Sequence, residues 1–172
     1  GCATTYRRGR FTFEASLHLL DAVGPGEPNR AVLDGLDIAD RITLVRPEPL
    51  RREIWPELGL DLLVPQGRSA VVALLSERFP ADADGLAALF DLAARVHAVG
   101  YARLAGEEPP YDDARTAVEL GWISASALIA RHLADPRARA IVGSQAHYVG
   151  TPADALAASS FLVLLHGYVG IG

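Results

Sequence analysis

No methionine occurs in the 172 residues, there is a single cysteine, and the 16 Lys and Arg are outnumbered by 21 Asp and Glu, for a formal net charge of −5. Each shortage excludes something. Cys2 alone can close no internal disulfide and has no second thiolate with which to share a zinc ion, so a reducing compartment is the default. An acidic balance without a basic stripe argues against nucleic acid as the main partner, because phosphate binding displaces counterions with Lys and Arg. The missing Met, a start at Gly1-Cys2-Ala3 and an end in Gly167-Tyr168-Val169-Gly170-Ile171-Gly172 predict an internal piece of a longer chain. Apolar residues, by contrast, are plentiful. Half of the chain is hydrophobic and only 22% is charged, which is the composition of a folding domain and not of a disordered segment.

Periodicity divides the chain into a β-rich first third and a helical remainder. Residues 11–19 alternate Phe11, Phe13, Ala15, Leu17 and Leu19 against Thr12, Glu14, Ser16 and His18, which predicts a half-buried strand. That strand is expected at a sheet edge, paired with nothing beyond the strands of residues 42–64. Asn29 is the expected cap of a short helix carrying Ala31 to Leu36. Residues 42–45 read as a strand, and 50–55 with 60–64 as a hairpin turning on Pro56-Glu57-Leu58-Gly59. Ser69 is placed to cap a helix ending at Arg78. After Pro80 comes a long helix with an apolar stripe of Leu86, Leu89, Phe90, Ala93, Val96 and Leu104. Residues 107–113 read as a loop, followed by helices at 117–133 and 136–148 and a last one capped at Thr151-Pro152. The fold class is α+β: a small antiparallel sheet plus a largely helical part.

Recognisable catalytic spacings are absent. His18, His97, His132, His147 and His166 fall in different elements, no pair has helical metal-site spacing, and no metal centre is expected. There is no G-x-S-x-G, P-loop or G-x-G-x-x-G. Thr12, Glu14 and His18 share one strand face that is either solvated or turned to a ligand. Arg7, Arg8 and Arg10 around Gly9 fit a solvated turn, or contact with a pyrophosphate or lipid headgroups. Residues 155–172 carry no charge; small residues dilute the run, so the wall of an apolar tunnel fits it better than a membrane span.

The opening segment, from Gly1-Cys2-Ala3-Thr4 through Phe11-Thr12-Phe13-Glu14-Ala15-Ser16-Leu17-His18, resembles the strand that follows Arg-x-Gly-Gly in FAD-dependent oxidoreductases of the phytoene desaturase, carotenoid isomerase and retinol saturase family, within the amine oxidase-like superfamily. Ser16 stands where that pattern has Gly. Phe79-Pro80-Ala81-Asp82-Ala83-Asp84-Gly85-Leu86 is similar to the family's step into a long substrate-domain helix. Asp135-Pro136-Arg137-Ala138-Arg139-Ala140-Ile141, followed by Tyr148-Val149-Gly150-Thr151-Pro152, is similar to its Asp-Pro element.

The resemblance implies a two-domain flavoprotein of which this chain lacks the dinucleotide-binding core. Residues 1–24 would be a strand segment of the FAD domain, and 25–172 an incomplete substrate domain. Gly1, Cys2, Thr4, Glu14, Ser16 and His18 would lie beside FAD, and Phe161, Leu164, Leu165 and Tyr168 would line a groove for an apolar polyene, carotenoid-like or retinoid-like. No catalytic residue is assigned, and the piece by itself is expected to be inactive. The expected location is the cytoplasm, and a polyene substrate implies an enzyme able to touch the membrane surface. The rival expectation is a helical lipid-binding or partner-binding module without catalysis, which would close its own core.

Overall fold

The computed structural model describes residues 5–14, 19–20, 22–25 and 27–170. The chain divides into two compact units, Gly1–Thr43 and Leu44–Gly172. That division falls later in the chain than the 24/25 boundary expected from the sequence.

In the first unit, β1 (Thr5–Arg8) and β2 (Phe11–Glu14) form an antiparallel hairpin with Tyr6 opposite Phe13 and Thr5 opposite Glu14. Gly9 supplies the turn at φ 60°, a left-handed value that Gly adopts without steric cost. The strand expected at 11–19 is therefore described only to Glu14. Its partner is the segment just before it, not the 42–64 region, and both of its described faces are exposed. Helix α1 (Pro28–Gly35) follows, with Glu27 rather than Asn29 at the cap position. Pro28 takes the first helical position, where its missing N–H is no loss, and the Glu27 carboxylate accepts a hydrogen bond from the Gly24 N–H at 2.7 Å.

The second unit opens without the strand expected at 42–45. Arg46-Pro47-Glu48-Pro49 follows directly, and proline cannot donate to a ladder, so Val45 is left 81% exposed. Strands β3 (Arg51–Trp55) and β4 (Leu60–Val64) pair antiparallel from Arg51 opposite Val64 to Trp55 opposite Leu60. Gly59 at φ 63° closes the turn. Leu60, Leu62 and Val64 face the core, while Arg52 reaches across the outer face to Asp61 at 2.5 Å.

Helix α2 (Arg68–Arg78) starts from Gly67, whose φ of 86° leaves Ser69 inside the helix, not at its cap. After a 3₁₀ turn at Pro80–Asp82, α3 (Ala83–Leu104) is the longest helix and the axis of the core. Leu86, Leu89, Phe90, Ala93 and Val96 are buried along it; Leu104, past the last layer of neighbours, is 80% exposed. Helix α4 (Tyr111–Glu119) begins inside the segment expected as a loop, with Asp112 and Asp113 at the positive end of its dipole. Leu120–Trp122 is a 3₁₀ turn, and α5 (Ala125–His132) is capped by the Ser124 hydroxyl, which accepts from Ala127 N–H. Helix α6 (Pro136–Gly143) is capped by Asp135 and passes into a 3₁₀ stretch, Ser144–Val149.

Helix α7 (Ala158–Leu165) starts at the cap position of Ala157, not at Thr151. Ser124 and Ala157 form a backbone bridge here: Ala125 N–H donates to Leu156 O and Ala158 N–H to Ile123 O, both within 2.9 Å. A π-turn, His166–Gly170, continues α7. The described architecture is thus α+β, two two-stranded antiparallel sheets and seven α-helices among the described residues. No described helix is long and apolar enough to cross a membrane.

Candidate functional site

Among the expected cofactor-binding residues, Gly1, Cys2, Thr4, Ser16 and His18 lie outside the described residues. Glu14 is placed on β2, where it accepts a hydrogen bond from the Thr5 hydroxyl across the hairpin at 3.1 Å. The same hairpin carries an exposed aromatic face. Tyr6 stacks on Phe13 at 5.3 Å between centroids, Phe11 lies 6.4 Å from Phe13, and the Arg10 guanidinium sits 5.1 Å over the Phe11 ring. FAD asks for more than this, because its pyrophosphate needs backbone N–H groups converging at a glycine-rich turn into a helix. The Gly9 turn leads into a strand instead, and the described residues by themselves do not fit a dinucleotide.

The four residues expected along a substrate groove separate into two pairs. Phe161 is 0% exposed and Leu165 1%, both within the closed core of the second unit, which corrects the expectation that they face a groove. Their burial follows from helix geometry: positions four apart share a face, and that face of α7 meets α3. Leu164 and Tyr168 are half-buried. Tyr168 begins an aromatic row, stacking on Tyr148 at 4.5 Å, and Tyr148 stacks on His147 at 4.4 Å.

That row ends at an open pocket of about 320 Å³ lined by Gly143, Ser144, His147, Gly150, Thr151 and Pro152, among others. Gly150 permits the pocket's shape, since its φ of 67° reverses the chain after the 3₁₀ stretch. His147 Nδ1 hydrogen-bonds the Ser144 carbonyl oxygen. A carbonyl only accepts, so Nδ1 holds the proton in the neutral ring and Nε2 keeps a lone pair. The pocket therefore brings His147, held through Nδ1 by that carbonyl, together with small residues and the Thr151 hydroxyl. Sequence reasoning passed over His147 because its role depends on a turn carbonyl that no spacing rule announces.

Two further polar clusters lie within the core. Glu53 on β3 is buried and accepts from Arg51 Nε at 2.7 Å, from Trp55 Nε1 at 3.2 Å and, across to the 3₁₀ stretch, from Gln145 Nε2 at 3.5 Å. Such an enclosed carboxylate is tolerated only because donors surround it. His97 on α3 and His166 at the head of the π-turn meet edge to face at 4.7 Å between centroids, with Tyr101 4.2 Å from His97. Burial, with a smaller push from His166, lowers the His97 pKa to about 4, so the ring is neutral near pH 7. Among the described residues no three His, Cys, Asp or Glu side chains come together as a metal ion would require.

The motifs of the second unit also converge. Asp82, buried at the foot of α3, accepts hydrogen bonds from the backbone N–H groups of Ala134 at 2.7 Å and Asp135 at 2.9 Å. Arg137 lays its guanidinium 5.5 Å over the Phe79 ring. Phe79-Pro80-Ala81-Asp82 and Asp135-Pro136-Arg137, far apart in the chain, are thus two sides of one joint. Compared with known proteins, the chain matches no family model, and no curated protein and no solved structure is significantly similar to it.

Proposed function

We propose that this chain is part of an FAD-dependent oxidoreductase of the phytoene desaturase, carotenoid isomerase and retinol saturase type, acting by hydride transfer on an apolar polyene. The observation that carries the reading is the joint at Asp82. Two of the motifs behind the resemblance lie against each other there, which supports reading them together. Of a third, Tyr148-Val149-Gly150-Thr151-Pro152, the Gly150-Thr151-Pro152 part lines the open pocket.

In this reading the chain's own residues bind and orient substrate. The pocket of Gly143, Ser144, Ala146, Gly150 and Pro152 would take an apolar chain end, with His147 and Thr151 as its polar neighbours. FAD would supply the hydride chemistry, held by residues other than the described ones. The enzyme would work in the cytoplasm, touching the membrane surface where polyenes dissolve.

A second reading, a helical lipid-binding or partner-binding module without catalysis, draws on the way residues 44–172 close a core of their own around α3 and α7. One experiment separates the two. The full-length protein is purified and its absorbance recorded with and without added FAD, followed by turnover of a polyene in detergent against a small primary amine. A flavin spectrum with polyene turnover supports the first reading. A colourless protein that gains nothing from FAD sinks it, and oxidation of the amine alone moves the protein to the amine-oxidase branch.

A further inference from the structure

Helix α3 and the π-turn His166–Gly170 meet on two imidazoles. His97 is 7% exposed and its Nε2 has no hydrogen-bond partner; the buried Nδ1 of His166 has none either. As neutral rings they pack well enough, edge to face at 4.7 Å. Protonation changes the account, since an imidazolium brings a charge and a second N–H that both need solvating.

The surroundings offer no compensation. On α3 the neighbours of His97 at helical spacing are Ala93, Ala94, Gly100 and Tyr101, and on the other side those of His166 are Leu162, Val163 and Val169. Helix α7 brings no charged residue. Helix α2 brings Arg68, whose positive charge opposes protonation of His166 and whose guanidinium is bound to Asp91 of α3 at 2.7 Å. On α4, Asp113 is taken by Arg95 at 3.1 Å. The charged end of α5, Arg131 and His132, lies by Gly85 at the opposite end of α3. The turn itself is wider than an α-helix, a form frequent at functional sites.

We infer that the His97–His166 contact is an acid-released latch: a proton on either ring frees the π-turn from α3, unstacks Tyr168 from Tyr148 and bares the apolar surface under Val169. The direction of titration agrees. Burial and the neighbouring ring hold His97 at about 4, and burial followed by Arg68 lowers His166. A base whose pKa is lowered in the packed state stabilises that state fully above the ordinary imidazole value of 6.5. The contribution fades as pH falls from there toward 4. For His97 that interval corresponds to a closed-to-open ratio falling by up to about 300-fold.

Hydrogen exchange of the intact chain, corrected for intrinsic rates, reads the latch directly. Between pH 7 and pH 4.5 the amides of the π-turn should lose protection by at least about tenfold, while those of β3 and β4 hold theirs. His97→Phe and His166→Phe keep a ring in place without a titratable nitrogen; each should weaken the pH dependence of π-turn protection, and the double variant should abolish it. Should either variant not fold, NMR titration of the wild-type rings serves instead, and both should titrate below 6.5. Constant protection down to pH 4.5, a Phe variant with wild-type pH dependence, or rings titrating near 6.5 would each overturn the latch.

Discussion

A Cβ on Gly85 would lie 1.9 Å from the carbonyl oxygen of His132, closer than any van der Waals contact allows. The opposing atom is backbone at the end of α5, so no rotamer change can relieve the clash. Gly85→Ala should cost about 3 kcal/mol, at the upper end for overpacking. Gly100, on the same helix, has nothing within 4 Å of its virtual Cβ, and Gly100→Ala should stabilise by about 0.5 to 1 kcal/mol. Urea unfolding of the two variants checks both signs, and equal effects would mean that α3 does not approach α5 this closely.

Asp82 offers a second test of that joint. Asp82→Ala removes the acceptor of two part-buried backbone N–H groups, those of Ala134 and Asp135, and should cost about 1 to 3 kcal/mol. Asp82→Asn keeps one acceptor oxygen and should cost roughly half as much. Similar losses for the two variants would show that a single acceptor oxygen contributes nothing to the joint.

The pH dependence at Asp135 has a definite sign. Its carboxylate accepts from the Arg137 side chain and from the Arg137 backbone N–H, and these bonds hold its pKa at about 2, below the ordinary 3.8. An acid lowered on folding stabilises the native state at every pH above its ordinary value, and that contribution is lost as pH falls from 3.8 toward 2. Asp135→Asn should therefore flatten the stability curve over that interval, and parallel curves for wild type and variant would remove Asp135 from the account of acid unfolding.

Core and surface on the helical part should separate cleanly. Phe161→Ala opens a cavity at a fully buried position and should cost about 3 to 5 kcal/mol. Leu104→Ala, at the exposed end of α3, should stay within about 0.5 kcal/mol. Thermal unfolding reads the contrast, and a large loss at Leu104 would mean that its surface is covered in solution.

Much of this fold was legible where local chemistry decides. Pro56 and Gly59 mark the β3–β4 turn, and the spacing from Leu86 to Val96 marks α3, because both signals reside in neighbouring residues. Legibility failed where a distant partner decides. Residues 42–45 have strand composition and no strand to pair with. Thr151-Pro152 has the chemistry of a helix start, yet α7 waits until Ala158, where Ile123 offers a carbonyl. Pro109-Pro110 reads as a break although Pro110 is the cap position of α4. Near the candidate site, Tyr168 is marked in the sequence only by its place in an uncharged run, which does not encode its stacking on Tyr148. His147, and the meeting of His97 with His166, depend on tertiary placement that histidine spacing does not encode.

The bridge between Ser124 and Ala157 has an outcome for how this chain can vary. It joins the starts of α5 and α7 through main-chain atoms, which every amino acid except proline can supply. Point changes at Ile123, Leu156 or Ala157 therefore leave the stitch intact as long as their volume fits. Adding or deleting one residue between Asp154 and Ala157 would instead rotate α7 by about 100°, given 3.6 residues per turn, and turn Phe161 out of the core. This loop should accept new letters far more readily than a new length.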